Sequence, residues 1–391
     1  MSKSNVPELR LEGFEGEWDK CLLSDVVSVV GGGTPSTQTP AFWGGDIDWF
    51  SPSEIGNDPV APRSRLKITA EGLASSSAQL LPANRTVLFT SRASIGHSAI
   101  LRHEAATNQG FQSFIVNSNT DVEFIYALTP YIKTHALRRA SGSTFLEVSA
   151  QNLREIPMVI PAPDEQKAIG AIFTRVDTTI VSHKKKLDLF KQTKTSLLQR
   201  MFPADGATVP ELRLGGFEGE WRKVQISDIA TRHDSERIPV TKKDRAPGST
   251  PYYGANGIQD YVEGYTHDGS FVLVAEDGAN DLENYPVEYV TGKIWVNNHA
   301  HVLQAIPDIS SGYFLKTAIF RADVKSLLVG GGRAKLNSAQ LMELSFLVPS
   351  LDEQQAIGAV FSKLDTLISA EAQYIDKLTQ TKTALLQKMF V

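Results

Sequence analysis

A single cysteine, Cys21, in 391 residues excludes an internal disulfide framework and a zinc cage built from cysteines. No apolar run approaches the roughly 18 residues that a membrane span needs. The opening Met-Ser-Lys-Ser-Asn-Val-Pro-Glu lacks the apolar core of a secretory signal. The expectation is a reduced, cytoplasmic protein with no membrane partner. An excess of positive charge is also missing: 39 Lys and Arg stand against 44 Asp and Glu, for a net charge of −5. Overall charge therefore gives no sign of affinity for nucleic-acid phosphates. The cations are local instead. They gather at Arg63, Arg65 and Lys67, at Lys133, Arg138 and Arg139, and at Arg232, Arg237, Lys242, Lys243 and Arg245. Each group reads first as a solvated face.

Catalytic signatures are equally scarce. No Asp/Asn-Pro-Pro-Tyr/Phe tetrapeptide with a glycine-rich cofactor loop is present, and Gly31-Gly-Gly-Thr-Pro35 is not followed by the Gly-Lys-Ser/Thr of a P-loop. Pro163-Asp-Glu-Gln-Lys167 has the look of a nuclease cluster, but a second copy carries Gln355 in place of the lysine. His299-Ala-His301 places two imidazoles on one strand face, a metal pair for which no third ligand is close in sequence. The chain reads as non-enzymatic, with no metal site and no cofactor of its own.

What the chain does contain is itself, twice. Residues 6–18, Val-Pro-Glu-Leu-Arg-Leu-Glu-Gly-Phe-Glu-Gly-Glu-Trp, recur at 209–221 with Glu12 replaced by Gly215. Asp164-Glu-Gln-Lys-Ala-Ile-Gly-Ala-Ile-Phe173 recurs as Asp352-Glu-Gln-Gln-Ala-Ile-Gly-Ala-Val-Phe361, and the match runs on to Phe202 and Phe390. The front copies lie 203 residues apart and the back copies 188, so the second intervening segment is 15 residues shorter. The two intervening segments do not align with each other. One frame carries two different inserts, unlike a solenoid of many short repeats.

The repeated back segments predict long helices. Between Asp164 and Phe202 there is no proline and only Gly170. Acidic residues open each segment, and Ser350-Leu-Asp-Glu353 has capping-box spacing. At about 38 residues each helix spans ~57 Å. Steps of four and three from Ile169 reach Phe173, Val176, Ile180, His183, Leu187, Phe190, Lys194, Leu197 and Met201. From Ile357 they reach Phe361, Leu364, Ile368, Glu371, Ile375, Leu378, Lys382, Leu385 and Met389. A seam held over about five heptads predicts a coiled coil, most economically between the two helices in antiparallel sense. His183 and Glu371 then fall mid-seam, where a polar contact fixes register. Arg85–Thr90 and Ser270–Ala275 read as strands and Val122–Arg139 as helix.

This layout resembles that of type I restriction-modification specificity subunits. The resemblance rests on the duplicated Val-Pro-Glu-Leu-Arg opening and on the Pro-x-x-Asp-Glu-Gln-x-x-Ile helix starts at Pro161–Ile169 and Pro349–Ile357. Phrases inside the inserts add to it: Gly33-Thr-Pro-Ser36, Ile47-Asp-Trp49, Thr107-Asn-Gln109, Tyr253-Gly-Ala-Asn-Gly257 and Val296-Asn-Asn-His-Ala-His-Val-Leu303. It implies two α/β or α+β target recognition domains, at 1–160 and 204–348. These alternate with long conserved helices at 161–203 and 349–391, which form an antiparallel coiled coil in a pseudo-two-fold arrangement. Each domain is then expected to read one half of a bipartite sequence in double-stranded DNA. The helices are expected to act as a ruler and to dock two methyltransferase subunits, which carry S-adenosylmethionine and modify adenine. Restriction subunits using ATP and Mg complete the complex. The alternative is a coiled-coil scaffold that holds proteins and binds no DNA.

Sequence readout needs side chains that reach base edges: Arg or Lys for guanine, Asn or Gln for adenine, Ser or Thr for either. In the first domain the candidates are Thr34, Ser36, Ser91, Arg92, Asn108, Gln109 and Ser143. In the second they are Tyr253, Asn256, Asn298, His299, Arg333 and Lys335. Ser141-Gly-Ser-Thr144 and Gly330-Gly-Gly-Arg-Ala-Lys335 occupy comparable places ahead of the helices, where glycine lets backbone approach phosphate.

Overall fold

The proline-free stretches form two unbroken helices, Pro163–Arg200 and Leu351–Met389. In the computed structural model the described residues are 5–56, 58–142, 146–330 and 334–390. Every predicted seam position is buried or half-buried, including His183, Lys194, Glu371 and Lys382. The polar seam members have identifiable partners: His183 meets the Tyr374 ring at 4.6 Å, and Lys186 lies 3.1 Å from the Glu371 carboxylate.

Two compact units result, and their limits differ from divisions drawn along the sequence. The first comprises residues 1–185 with 372–391, and the second comprises 186–371. Each unit therefore holds the start of one long helix and the end of the other. In the first, partners run Phe173 with Phe390, Asp177 with Lys382 and His183 with Tyr374, so the segments are antiparallel. In the second the series is Lys186 with Glu371, Lys194 with Asp365 and Phe202 with Phe361, again antiparallel.

Around these helices both units build the same frame. In the first, strand Asp19–Leu22 pairs antiparallel with Pro157–Ile160; in the second, Arg222–Gln225 pairs with Ser345–Val348. Arg10 grips Glu165 through two nitrogens at 2.8 and 2.9 Å, and Arg213 grips Glu353 at 2.7 and 2.8 Å. Both glutamates are buried, so removing either arginine leaves a buried carboxylate without its counter-charge, which destabilises the frame. The next residue is a second clamp. Gln166 donates to Pro161 O and accepts from Asp121 N; Gln354 donates to Pro349 O and accepts from Ser311 N. The Asp-Glu-Gln phrase thus ties the helix start to both the frame and the insert. The predicted capping box at Ser350 is only half made. Glu353 N approaches Ser350 Oγ at 3.4 Å, but the Glu353 carboxylate is drawn to Arg213 rather than back to the cap. Aromatic rings seal each frame: Trp18, Phe124, Phe173 and Phe390 in one, Trp221, Phe314, Phe361 and Phe202 in the other.

The inserts share no such likeness. The first carries a four-stranded antiparallel sheet, ordered Val27–Gly31, Gln112–Val116, Thr86–Phe89, Ser98–Leu101, and a three-stranded sheet, Leu66–Ile68, Trp43–Phe50, Ala105–Thr107. The second carries one six-stranded sheet, ordered Ala230–Arg232, Ala300–Ala305, His267–Ala275, Val287–Val296, Pro247–Gly254, Gly257–Val262. Its one parallel pairing sets Tyr252–Tyr253 against Trp295–Val296. The helix expected over Val122–Arg139 is two, Val122–Ala127 and Thr129–Arg139. Pro130 has no N–H for the carbonyl of Tyr126, and Thr129 Oγ1 donates to that oxygen instead, at 2.7 Å.

Candidate nucleic-acid interface

In the first unit three loops meet at one edge. Gly33 N donates to Thr107 O at 2.8 Å, and a Cβ on Gly32 would sit 2.0 Å from Asn108 O, so only glycine permits this approach. Thr34 Oγ1 then donates to Gln109 Oε1 at 2.5 Å, and Ser91 N donates to Gly110 O at 2.8 Å. Thr34, Asn108, Gln109, Ser91 and Arg92 are thereby gathered. Thr34, Arg92 and Gln109 are exposed, and Asn108 is half-buried with Oδ1 accepting from Gly110 N. Arg92 is held by Glu147 at 2.8 Å. Ser36 is exposed in the adjoining turn, its carbonyl accepting from Trp43 Nε1. Ser91 is fully buried, and its Oγ has no hydrogen-bond partner among the described residues, so it shapes the edge rather than projecting from it. Ser143 lies outside the described residues.

In the second unit the ends of strands His267–Ala275 and Ala300–Ala305 converge with the segments at 253–256 and 334–336. Glu276 N donates to His299 O, and Leu336 N donates to Glu276 O. Lys335 Nζ reaches Glu276 at 2.8 Å, and His299 Nδ1 lies 2.5 Å from Asp277 Oδ1. Lys335 and Asn298 are exposed. Asn256 is exposed too, but its amide is engaged: Nδ2 donates to Gly278 O and Oδ1 accepts from Asn280 N. Tyr253 is buried in the sheet. Arg333 lies outside the described residues.

Beneath this edge sits an ionic network that sequence spacing did not reveal. Asp234, Glu276 and His301 offer ligand atoms within 4.8 Å of one another. The site is filled by the protein's own cations. Arg237 Nη1 is 2.6 Å from Glu276 and donates also to Ala300 O, while Lys335 holds the other Glu276 oxygen. His301 Nδ1 faces Asp234 at 2.7 Å and Nε2 faces Leu336 O at 3.0 Å, leaving neither nitrogen for a metal. His299 and His301 accordingly go to different carboxylates and form no pair. Burial tends to raise the Glu276 carboxyl, but Lys335 and Arg237 outweigh it and hold it below its ordinary value; His301 and Val302 N–H do the same for Asp234. Five residues drawn from four separate stretches of the sequence make this network, and no local spacing could announce it.

The predicted basic clusters divide. Arg63 and Lys67 approach the buried Asp48 at 3.2 and 3.4 Å, with His103 at 2.7 Å, and so serve the fold. Arg245 stacks on Tyr252, 4.0 Å from the ring centre, and pairs with Asp260. Lys242 and Lys243 are exposed and make no ion pair among the described residues.

The fold defines a duplicated protein of two units, each a preserved frame on long helices that carries its own unlike α/β insert with a polar edge. The family described as type I restriction modification DNA specificity domain matches residues 15–192 and again 218–380, and the chain belongs to that family. It is 24% identical over 383 residues to the EcoprrI specificity subunit of Escherichia coli, covering 95% of this chain and 92% of that one. A putative type I specificity subunit of Haemophilus influenzae is 41% identical over 162 residues, 41% of each chain. The fold is similar to the crystal structure of the S subunit of a type I restriction-modification system from M. genitalium, with TM-score 0.75, 15% identity and 99% of both chains covered. No described helix is long and apolar enough to cross a membrane.

Proposed function

We propose that this specificity subunit recognises a bipartite sequence in double-stranded DNA, each unit reading one half-site through the edge assembled on its own insert. The observation that carries the reading is the pairing of one preserved frame with two dissimilar edges. A frame that is repeated down to its Arg–Glu and Gln clamps suits two copies of one partner, while unlike edges suit two different base sequences.

In this reading Thr34, Ser36, Arg92, Asn108 and Gln109 face one half-site, and Asn298, His299 and Lys335 face the other, with Ser143 and Arg333 as further members. Ser91, Tyr253 and Asn256 hold the edges in shape. Lys242 and Lys243 supply sequence-independent phosphate contacts. The chain performs no chemistry. Two methyltransferase subunits with S-adenosylmethionine dock on the helical frame and methylate adenine, and restriction subunits with ATP and Mg join them in the cytoplasm.

The test is a genome-wide map of adenine methylation in cells with and without the gene. A bipartite motif that disappears with the gene supports the proposal and reveals the target. An unchanged map, in cells where the chain co-purifies with a methyltransferase subunit, overturns it in favour of a protein scaffold.

A further inference from the structure

At the second edge, Asp277 is the acidic group that the ionic network leaves over. Glu276 beside it is buried between Arg237 and Lys335 and serves the fold. Among the described residues Asp277 forms no ion pair with a lysine or arginine, although Lys335, held by Glu276, lies near enough to feel its charge. Its side chain is 33% exposed, its Oδ1 lies 2.5 Å from His299 Nδ1, and its Oδ2 has no hydrogen bond among the described residues. The backbone beneath it is fixed on both sides. Asp277 pairs with Lys335 in an isolated β-bridge, and Asn256 pins the following residues through Gly278 O and Asn280 N. The free carboxylate oxygen is therefore mounted on a held strand end.

A carboxylate turned toward a polyanion weakens binding unless it meets a donor. In a DNA groove the available donors are exocyclic amino groups, and in the major groove these are cytosine N4 and adenine N6. This chemistry gives a bare acid a use among Lys335, Asn298 and His299 that a phosphate contact cannot. Resting on the DNA-recognition reading above, we infer that Asp277 reads an amino-bearing base in one half-site, with Oδ2 as the acceptor. His299 is the positioning residue. A carboxylate only accepts, so His299 Nδ1–H donates to Oδ1 and sets the direction in which Oδ2 points.

The test uses the chromosomal gene altered in place, so that the full complex forms in its host, with adenine-methylation mapping as the readout. Asp277→Ala is expected to relax one position of one half-site, with discrimination for the amino-bearing base falling roughly 10-fold. Asp277→Asn, nearly the same shape, is expected to shift that position toward adenine, whose N6 and N7 suit an amide. His299→Ala should give a weaker relaxation at the same position. The wild-type motif shows whether the base is cytosine or adenine, and the unaltered half-site reports that the complex assembled. An unchanged motif in Asp277→Ala and Asp277→Asn overturns the assignment. So does an even loss of methylation across all sites with the motif intact. A wild-type strain with no bipartite motif overturns the underlying reading itself, which is a separate result.

Discussion

Lys382 Nζ sits 2.6 Å from Asp177 Oδ1 across the helix pair of the first unit. The equivalent pair in the second unit, Lys194 and Asp365, has the same separation but different company. Asp365 also receives Lys316 and the Tyr313 hydroxyl, both at 2.6 Å. Asp177 has its second oxygen buried with no hydrogen-bond partner among the described residues. Duplication kept the cross-helix charge pair, and the inserts decided how well each is satisfied.

The two aspartates should therefore differ on removal. Asp365→Ala strips the counter-charge from two lysines and is expected to cost about 3 kcal/mol. Asp177→Ala breaks one pair but also removes an unsatisfied oxygen, and is expected to cost about 1 kcal/mol. Urea unfolding of the full chain measures both. Equal losses would mean that the additional donors on Asp365 contribute nothing.

Acid stability should follow the same group. Burial tends to raise the Asp365 carboxyl, but Lys194, Lys316 and Tyr313 outweigh it and hold it below its ordinary value. A carboxyl depressed in the folded state contributes stability that is present above the unfolded value of about 3.9 and is lost as pH falls through the lower folded value. Asp234 and Glu276 are depressed as well, so all three weaken the second unit in the same direction. Asp365→Asn should be less stable than the parent at pH 7 and lose less of its stability between pH 5 and 3. Parallel pH profiles for the two proteins would contradict this.

The single glycine of each helix offers a sharper comparison. Alanine is the better helix former by about 1 kcal/mol. At Gly170, however, a Cβ would lie 2.5 Å from the Asp121 side-chain Oδ1 and 2.9 Å from the backbone Phe124 N that this oxygen caps, so neither yields cheaply. At Gly358 the nearest atoms stand 3.3 Å away. Gly170→Ala should destabilise the protein by about 1–3 kcal/mol, as overpacking does, while Gly358→Ala stays within about 1 kcal/mol of neutral. Thermal melts of the two variants decide the matter, and equal Tm changes would refute the difference.

The helices were legible in the sequence because the heptad pattern is local and printed twice. Strand Thr86–Phe89 and strand His267–Ala275 lay where β-branched and aromatic runs put them. The sheet order was not legible: Ala230–Arg232 pairs with Ala300–Ala305, some seventy residues on, and no pattern within either strand names the other. Capping chemistry was misjudged at Glu353 for the same reason, since its partner Arg213 lies 140 residues away. At the proposed interface, residue type found the exposed Gln109 and Lys335 but could not separate them from Ser91 and Tyr253, which are buried. Type states what a side chain can bind, and only packing decides whether it is offered.

The second unit is one uninterrupted stretch, 186–371, set inside the two parts of the first. On a ribosome this nesting dictates an order of assembly. The inner unit has all of its residues once Glu371 has emerged. The outer unit cannot cover Trp18 and Phe124 until Phe390 follows, so an aromatic surface stays open for most of the chain's synthesis. Joining residues so far apart is slow, and the waiting surface is prone to stick to others like it. A chain halted anywhere between Glu371 and Phe390 would hold a finished inner unit and an outer one with its hydrophobic face bare, the form that a cell's chaperones and proteases are built to find.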